Sequence, residues 1–265
     1  TLQKIINNPH TRTEDKAKGW SALGEIALSL KNIDGFEHAA LQILRTLSHE
    51  RFYALQVAKR WIRRVKEAPE DSSMSELKEI LTKHKNIPLL IFLAKNALAE
   101  KQIANGFHSE AVDTWLSILD SPAKVSTVYK TALLKLAEHA RMLRRDNAAL
   151  DAYESLAKTF ANEQTVLDLA ESGITELSLK RASAAEKGGR YSRARDLYLR
   201  LLKNRWNIAI AHRRFVRVSA KLDDIFATQL YYQKRLEQDE GDAFTHYGLG
   251  LTWTYTKEPN LNSAE

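Results

Sequence analysis

The chain of 265 residues contains no cysteine, which excludes disulfides and thiolate metal sites. It has only five prolines, at 9, 69, 88, 122 and 259, and each falls between stretches of helical periodicity rather than inside one. Val, Ile and Thr are not enriched, and glycine is scarce at ten residues, so strand-rich folds with many turns are disfavoured. No apolar run approaches the roughly 18–20 residues of a membrane span. The longest, Ile87 to Leu93, is soon broken by Lys95 and reads as a buried helix. The N-terminus has neither a Met nor a secretory pattern, and the C-terminus stops inside a helical motif at Asn262–Glu265. A piece of a longer protein is therefore expected.

Catalytic constellations are also scarce. The eight histidines, at 10, 38, 49, 84, 108, 139, 212 and 246, include no pair spaced four apart and no His-Glu-x-x-His. They read as packed or solvated side chains. Gly248-Leu249-Gly250 follows no strand and lies within a helical pattern, so it reads as helix packing rather than a nucleotide loop. Asp239-Glu240-Gly241-Asp242 has too few ligands for calcium and reads as an interhelix loop. No Gly-x-Ser-x-Gly appears. The expectation is a non-enzymatic chain without a cofactor or metal.

What the chain does have is helix formers in a repeated pattern. Leu, Ala, Lys, Arg and Glu dominate, and 44% of residues are apolar, enough for a packed core. The clearest stretch is Gly188 to Tyr198. Its two glycines end one helix, and Tyr191, Ala194 and Tyr198 then fall on one face of the next. Related patterns recur. Trp20, Leu23, Gly24 and Ala27 form a stripe, with Phe36, Ala39 and Ile43 opposite. Helix 49–67 is expected to bury Phe52, Leu55, Ala58 and Trp61, with a loop at Pro69–Ser73 behind it. Leu89 to Ala104 is followed by Ala111 and Trp115. A helix from about Val125 to Arg144 precedes Ala149 and Tyr153, and a long helix runs from about Gln164 to Lys187. Helix 207–221 pairs with one holding either Thr228 and Tyr232 or Ala227 and Tyr231. His246, Leu249, Gly250 and Trp253 open a last hairpin that Leu261 and Ala264 would close. Alanine anchors at 39, 111, 149, 194 and 264, with Ser73 and Thr228 in the gaps, are 34 to 45 residues apart.

A helix–turn–helix unit repeating at about 34 residues resembles the tetratricopeptide repeat. The residues that carry the likeness are Trp20-Leu23-Gly24-Ala27 with Phe36-Ala39-Ile43, Gly106-His108-Ala111-Trp115-Pro122, Gly189-Tyr191-Ala194-Tyr198 and Leu249-Gly250-Trp253. Residues 48–86 and 160–187 depart from it. The resemblance implies an all-α fold: an α-solenoid of about six to seven hairpins forming a curved superhelix, as one array over residues 1–265. Trp20, Gly24, Ala39, Ala111, Trp115, Ala149, Tyr191, Ala194, Tyr198 and Gly250 would be its packing residues. It further implies a scaffold that binds a protein or peptide partner on the concave face.

Charge points to a place for such a partner. Residues 180–221 hold thirteen basic side chains against Glu186 and Asp196, a net of +11 in a chain whose total is +7. In the resembled family, positions 2, 5, 6 and 9 of the first helix line the groove. Counted from Ala209 they are Ile210, Arg213, Arg214 and Arg217. Arg190, Arg193, Arg205, Arg213, Arg214 and Arg217 are thus the candidate binding residues, with an acidic protein or peptide as the expected partner. Two alternatives come from further resemblances. Periplasmic repeat arrays of exopolysaccharide export are similarly long, irregular and cysteine-poor, which would make an anionic polysaccharide the ligand and favours a bacterial periplasmic or outer-membrane-associated location. Arg195–Arg200 resembles the second helix of repeats in RNA-processing scaffolds, but the following helix lacks that family's Trp, Tyr and Glu, and nucleic acid is disfavoured.

Overall fold

The computed structural model describes residues 2–204 and 207–256, and fourteen helices account for most of them. Two compact units are described, Thr1–Leu156 and Ala157–Glu265. The first holds α1 (Leu2–Asn7), α2 (Thr13–Ser29), α3 (Ile33–Thr46), α4 (Arg51–Glu67), α5 (Glu70–Lys83), α6 (Pro88–Ala104), α7 (His108–Leu116), α8 (Ser126–Met142) and most of α9 (Asp146–Thr159). The second holds α10 (Gln164–Lys187), α11 (Tyr191–Asn204), α12 (Ala209–Lys221), α13 (Ile225–Leu236) and α14 (Ala243–Thr256). No helix among the described residues is long and apolar enough to cross a membrane.

The packing is that of an α-solenoid within each unit. Most sequential helices pack as hairpins, and several first helices also touch the first helix of the next hairpin: α2 on α4, α4 on α6, α6 on α8, and α12 on α14. Five hairpins close through one kind of turn. Lys31, Gly106, Arg144, Gly189 and Asp223 all adopt positive φ, from 56° to 79°. In each turn the next residue's N–H donates to the carbonyl five residues back: Asn32 to Ala27, Phe107 to Gln102, Arg145 to Ala140, Arg190 to Ala185 and Asp224 to Ser219, at 2.8–2.9 Å. This six-to-one bond is the Schellman closure, and it satisfies carbonyls that the helix end leaves open. The exception is the α4–α5 turn. There Ala68 is held extended by the following Pro69, and α5 starts directly at Glu70. The loop expected at Pro69–Ser73 is therefore helix, with the Ser73 N–H donating to the Pro69 carbonyl.

Small residues set the helix approach. Ala39, Ser73, Ala111, Ala149, Ala194 and Thr228 are each 2% exposed or less. Ala264 and Leu261 lie outside the described residues. A Cβ on Gly24 would sit 3.6 Å from Ala39 Cβ and 3.4 Å from Phe36, so these two helices meet at near-minimal separation. Trp115 and Tyr198 are buried, whereas Trp20 and Tyr191 are half-buried at the edges. Thr228 and Tyr232 face inward and Ala227 outward, which settles the register of α13.

Two expected faces are rotated. On α4 the buried side chains are Ala54, Val57, Ala58, Trp61, Ile62 and Val65, while Phe52 is 67% exposed. A stripe of Phe52, Leu55 and Ala58 follows hydrophobicity alone, but α4 turns toward both α3 and α6 and buries a wider arc. On α14 the buried residues are Thr245, Gly248 and Thr252, and the expected His246, Gly250 and Trp253 are exposed. The backbone at Gly248 lies against the Tyr232 ring, so a Cβ there would fall 2.2 Å from it. A Cβ on Gly250 would meet nothing within 4 Å. The Tyr232 hydroxyl in turn lies 2.8 Å from Nδ1 of the buried His212, which stacks on Phe244.

Histidine–tryptophan ring contacts recur in the first unit. Trp20 meets His38 at 5.5 Å, Trp61 meets His84 at 5.4 Å, and Trp115 meets His139 at 5.7 Å, with His108 stacked on His139. Burial holds His84 and His139 below the ordinary histidine value of 6.5, helped by Arg45 and Lys83 in one case and by His108 and Lys135 in the other.

Two predictions follow from these contacts. In urea unfolding, Gly248→Ala should lower stability by about 1–3 kcal/mol through overpacking, whereas Gly250→Ala should raise it by about 0.5–1 kcal/mol through helix propensity. The depressed histidines mean that the unfolded chain takes up their protons first. Their contribution is intact above pH 6.5 and is lost as the pH falls below it. Melting temperature should therefore drop between about pH 6.5 and 5, and less steeply in the His139→Phe variant.

Candidate functional site

The basic segment sorts into inward and outward cations. Glu186, at the end of α10, is only 8% exposed. Its carboxylate accepts from the Tyr198 hydroxyl on α11 at 3.0 Å, from Arg217 Nη2 on α12 at 2.5 Å, and from Arg214 Nη1 at 3.4 Å. Arg214 Nη1 also donates to Ser183 Oγ at 3.1 Å. Three helices are thus tied at one buried carboxylate. Burial pushes the Tyr198 hydroxyl above its ordinary value, and the adjacent Glu186 adds to this while Arg214 opposes it. Contact with Tyr198 and Glu186 raises Arg214. Arg195 likewise pairs with Asp224 and approaches Asp196.

The five described candidate binding residues fall in different settings. Arg214 and Arg217, expected to offer planar donors to a partner's carboxylate, pair with a carboxylate of their own chain, and Arg217 keeps 43% of its side chain exposed. Arg213 is exposed and its Nε lies 3.5 Å from Tyr247 Oη. Arg190 is exposed at the turn, and Arg193 points outward from α11. Arg205 lies outside the described residues. Arg193, Arg200 and Lys203 share the outer side of α11 with Asp196, at i, i+7, i+10 and i+3. Glu186 stands 28 and 31 residues before the two arginines, close to the repeat length, and that spacing was the available signal for the pairing.

The same spacing runs through the first unit. Lys66 and Lys135 both grip Glu100, at 2.7 and 2.9 Å, from positions 34 and 35 residues away. Burial raises Glu100, but the two lysine hydrogen bonds outweigh it and hold the carboxyl below the ordinary value. Arg60 pairs with Glu25 at 3.4 Å, and Arg64 joins Glu37 and Glu76. Side chains one repeat apart are neighbours because the first helices stack, so the Glu25–Arg60 and Glu100–Lys66/Lys135 pairs form polar rungs between hairpins, while Arg64–Glu76 lies within the α4–α5 hairpin.

Beside those rungs lie two concavities. One, of about 410 Å³, sits between α2 and α4 over Phe36, Phe52 and Val57. The other, of about 400 Å³, crosses α4, α6 and α8 over Ile62, Leu93 and Ala97. Lys59 and Arg63 line both, so the cavities meet at α4. Both cations are exposed, and neither pairs with an acid among the described residues. No binding role was expected for α4 from the sequence. The signal was present as the run Lys59-Arg60-Trp61-Ile62-Arg63-Arg64-Val65-Lys66, but its face depends on how α4 is rotated.

No protein-family model matches the chain, and no curated protein matches it. Nineteen solved chains do. One is the apo form of the quorum sensor NprR from B. thuringiensis, at 13% identity and a TM-score of 0.28, over 95% of this chain and 84% of that one. A TM-score of that size supports no residue correspondence. The fold assignment rests on the helices, turns and buried anchors of this chain.

The Glu186 network gives a direct test. Glu186→Ala leaves the buried Tyr198 hydroxyl without that acceptor and two arginines without their carboxylate. It should cost about 1–3 kcal/mol in denaturant unfolding, with Tyr198→Phe costing about 1 kcal/mol. Unchanged stability in both variants would show that the network does not tie α10, α11 and α12 together.

Proposed function

We propose that this chain is a non-enzymatic, tetratricopeptide-like scaffold that recruits a protein partner through the first-helix face of its first unit. The observation that carries the reading is the pair of concavities meeting at Lys59 and Arg63 across successive first helices. Helical repeats leave such a face open because each helix buries only the stripe that meets its neighbours. The buried small anchors and the repeated Schellman turns support the tetratricopeptide-like assignment.

A second reading has its own support. Arg190, Arg193, Arg200 and Lys203 are exposed on and beside α11, with no acid paired to them among the described residues. An anionic polymer would use this outer ridge and not the cavities. Its binding would fall steeply with salt, because counterions released on binding are restored at high salt.

Affinity isolation with the purified chain separates the two. Charge reversal at Lys59 and Arg63 should abolish capture of a protein partner, and reversal at Arg193 and Arg200 should leave it intact. The opposite pattern, with capture lost at about 0.3 M salt, would replace the scaffold reading with the polymer reading.

A further inference from the structure

The second unit carries a surface that the scaffold reading does not use. We infer that the outward faces of α11 and α13 dock on an anionic lipid surface, with the cations of α11 at the headgroup phosphates and Phe226 and Leu230 of α13 entering the acyl boundary. Three features of the molecule point to it.

The first is placement. Arg195 on α11 pairs with Asp224, the residue that precedes α13. Lys221, at the end of α12, donates to the Tyr191 hydroxyl at 3.3 Å, and its Nζ lies 4.8 Å from the centre of that ring. Tyr191 opens α11, so the two second helices are pinned together at their starts and their outer faces adjoin. Helix α11 buries Ala194, Tyr198, Leu201 and Leu202 and turns Arg193, Arg200 and Lys203 outward. Helix α13 buries Ile225, Thr228, Gln229 and Tyr232 and turns Phe226, Leu230 and Lys234 outward, at i, i+4 and i+8.

The second is exposed apolar area. Phe226 is 75% exposed and Leu230 50%, one turn apart on the same stripe. Bulky apolar side chains on the outer face of a helix, with cations beside them, are the arrangement that lies in the boundary between headgroups and acyl chains.

The third is charge. Arg190, Arg193, Arg200, Lys203 and Lys234 are exposed and pair with no acid among the described residues. They outnumber the acids exposed with them, Asp196, Asp223 and Glu237. Such a cluster is drawn to anionic headgroups. A soluble polyanion would meet these cations and gain nothing from Phe226 and Leu230. An apolar protein face would cover the two apolar side chains and leave the cations unmatched. An anionic bilayer surface answers both.

The test is co-sedimentation of the full chain with vesicles. Vesicles of phosphatidylglycerol and phosphatidylcholine in equal parts are compared with pure phosphatidylcholine, and dextran sulfate serves as a charged polymer without an apolar layer. Partition onto the anionic vesicles should exceed that onto phosphatidylcholine by about tenfold or more. Arg193→Glu/Arg200→Glu and Phe226→Ser/Leu230→Ser should each lower it by about tenfold or more, and Lys59→Glu/Arg63→Glu should leave it unchanged. Circular dichroism should show all three variants folded. If a double variant is unfolded, Arg200→Gln and Phe226→Gln are measured singly, each with an expected loss of about threefold or more. Equal partition onto the two kinds of vesicle, or no sedimentation at millimolar lipid, would overturn the inference. So would vesicle binding that ignores Phe226→Ser/Leu230→Ser as dextran sulfate binding does, which would assign the ridge to a soluble polyanion. Vesicle binding is read without a protein partner, so its failure leaves the scaffold reading untouched.

Discussion

No single hairpin of this chain can bury its own apolar side, and everything else follows from how neighbours are brought into contact. The device is the helix end. A residue in the left-handed conformation, with one backbone bond reaching five residues back, stops the first helix at the same point in five hairpins. That fixes which residues of the second helix come next to the first, and so places Ala39, Ala111, Ala149, Ala194 and Thr228 at the closest approach. Two of the five turns use glycine, while Lys31, Arg144 and Asp223 take the conformation despite its cost to side chains with a Cβ. The repetition of the turn across different residues shows that packing, not local preference alone, holds it there.

Stacking also decides what charge can do. Side chains one repeat apart become neighbours, so acids and bases separated by about thirty residues pair across hairpins. Glu100 between Lys66 and Lys135, and Glu186 beneath Arg214 and Arg217, are the clearest cases. In both, a half-buried or buried carboxylate gains enough from two cations to remain inside the array. The consequence for function is a subtraction. A segment of net +11 looks like a binding surface in one dimension, yet its inward arginines are already matched. Among the described residues, Lys59 and Arg63 line both concavities at α4 and pair with no acid.

Much of the fold was legible in the sequence because it depends on local signals. Tyr191, Ala194 and Tyr198 after a glycine pair, or Phe36, Ala39 and Ile43 opposite Gly24, mark helix faces by spacing alone. Most helix boundaries and the small-residue anchors rest on such spacing, which left the α13 register open between Thr228 with Tyr232 and Ala227 with Tyr231. Where the reading slipped, three-dimensional context decided. In α14 two glycines lie two residues apart, and only the approach of the Tyr232 ring distinguishes Gly248 as the packing one. In α4 the inward face is set by four neighbouring helices, α2, α3, α5 and α6, and Phe52 falls outside it. The candidate site was less legible still. Lys59 and Arg63 belong to a basic run visible in the sequence, but only the flanking of α4 by α2 and α6 sets them between two concavities.

Hydrogen–deuterium exchange on the full chain, alone and with a protein partner recovered by affinity isolation, tests the central claim most directly. Slowed exchange in residues 51–67, extending into α2 and α6 and absent from residues 187–203, is the predicted result. Protection confined to 187–203, or none in 51–67, would contradict the assignment of the binding face.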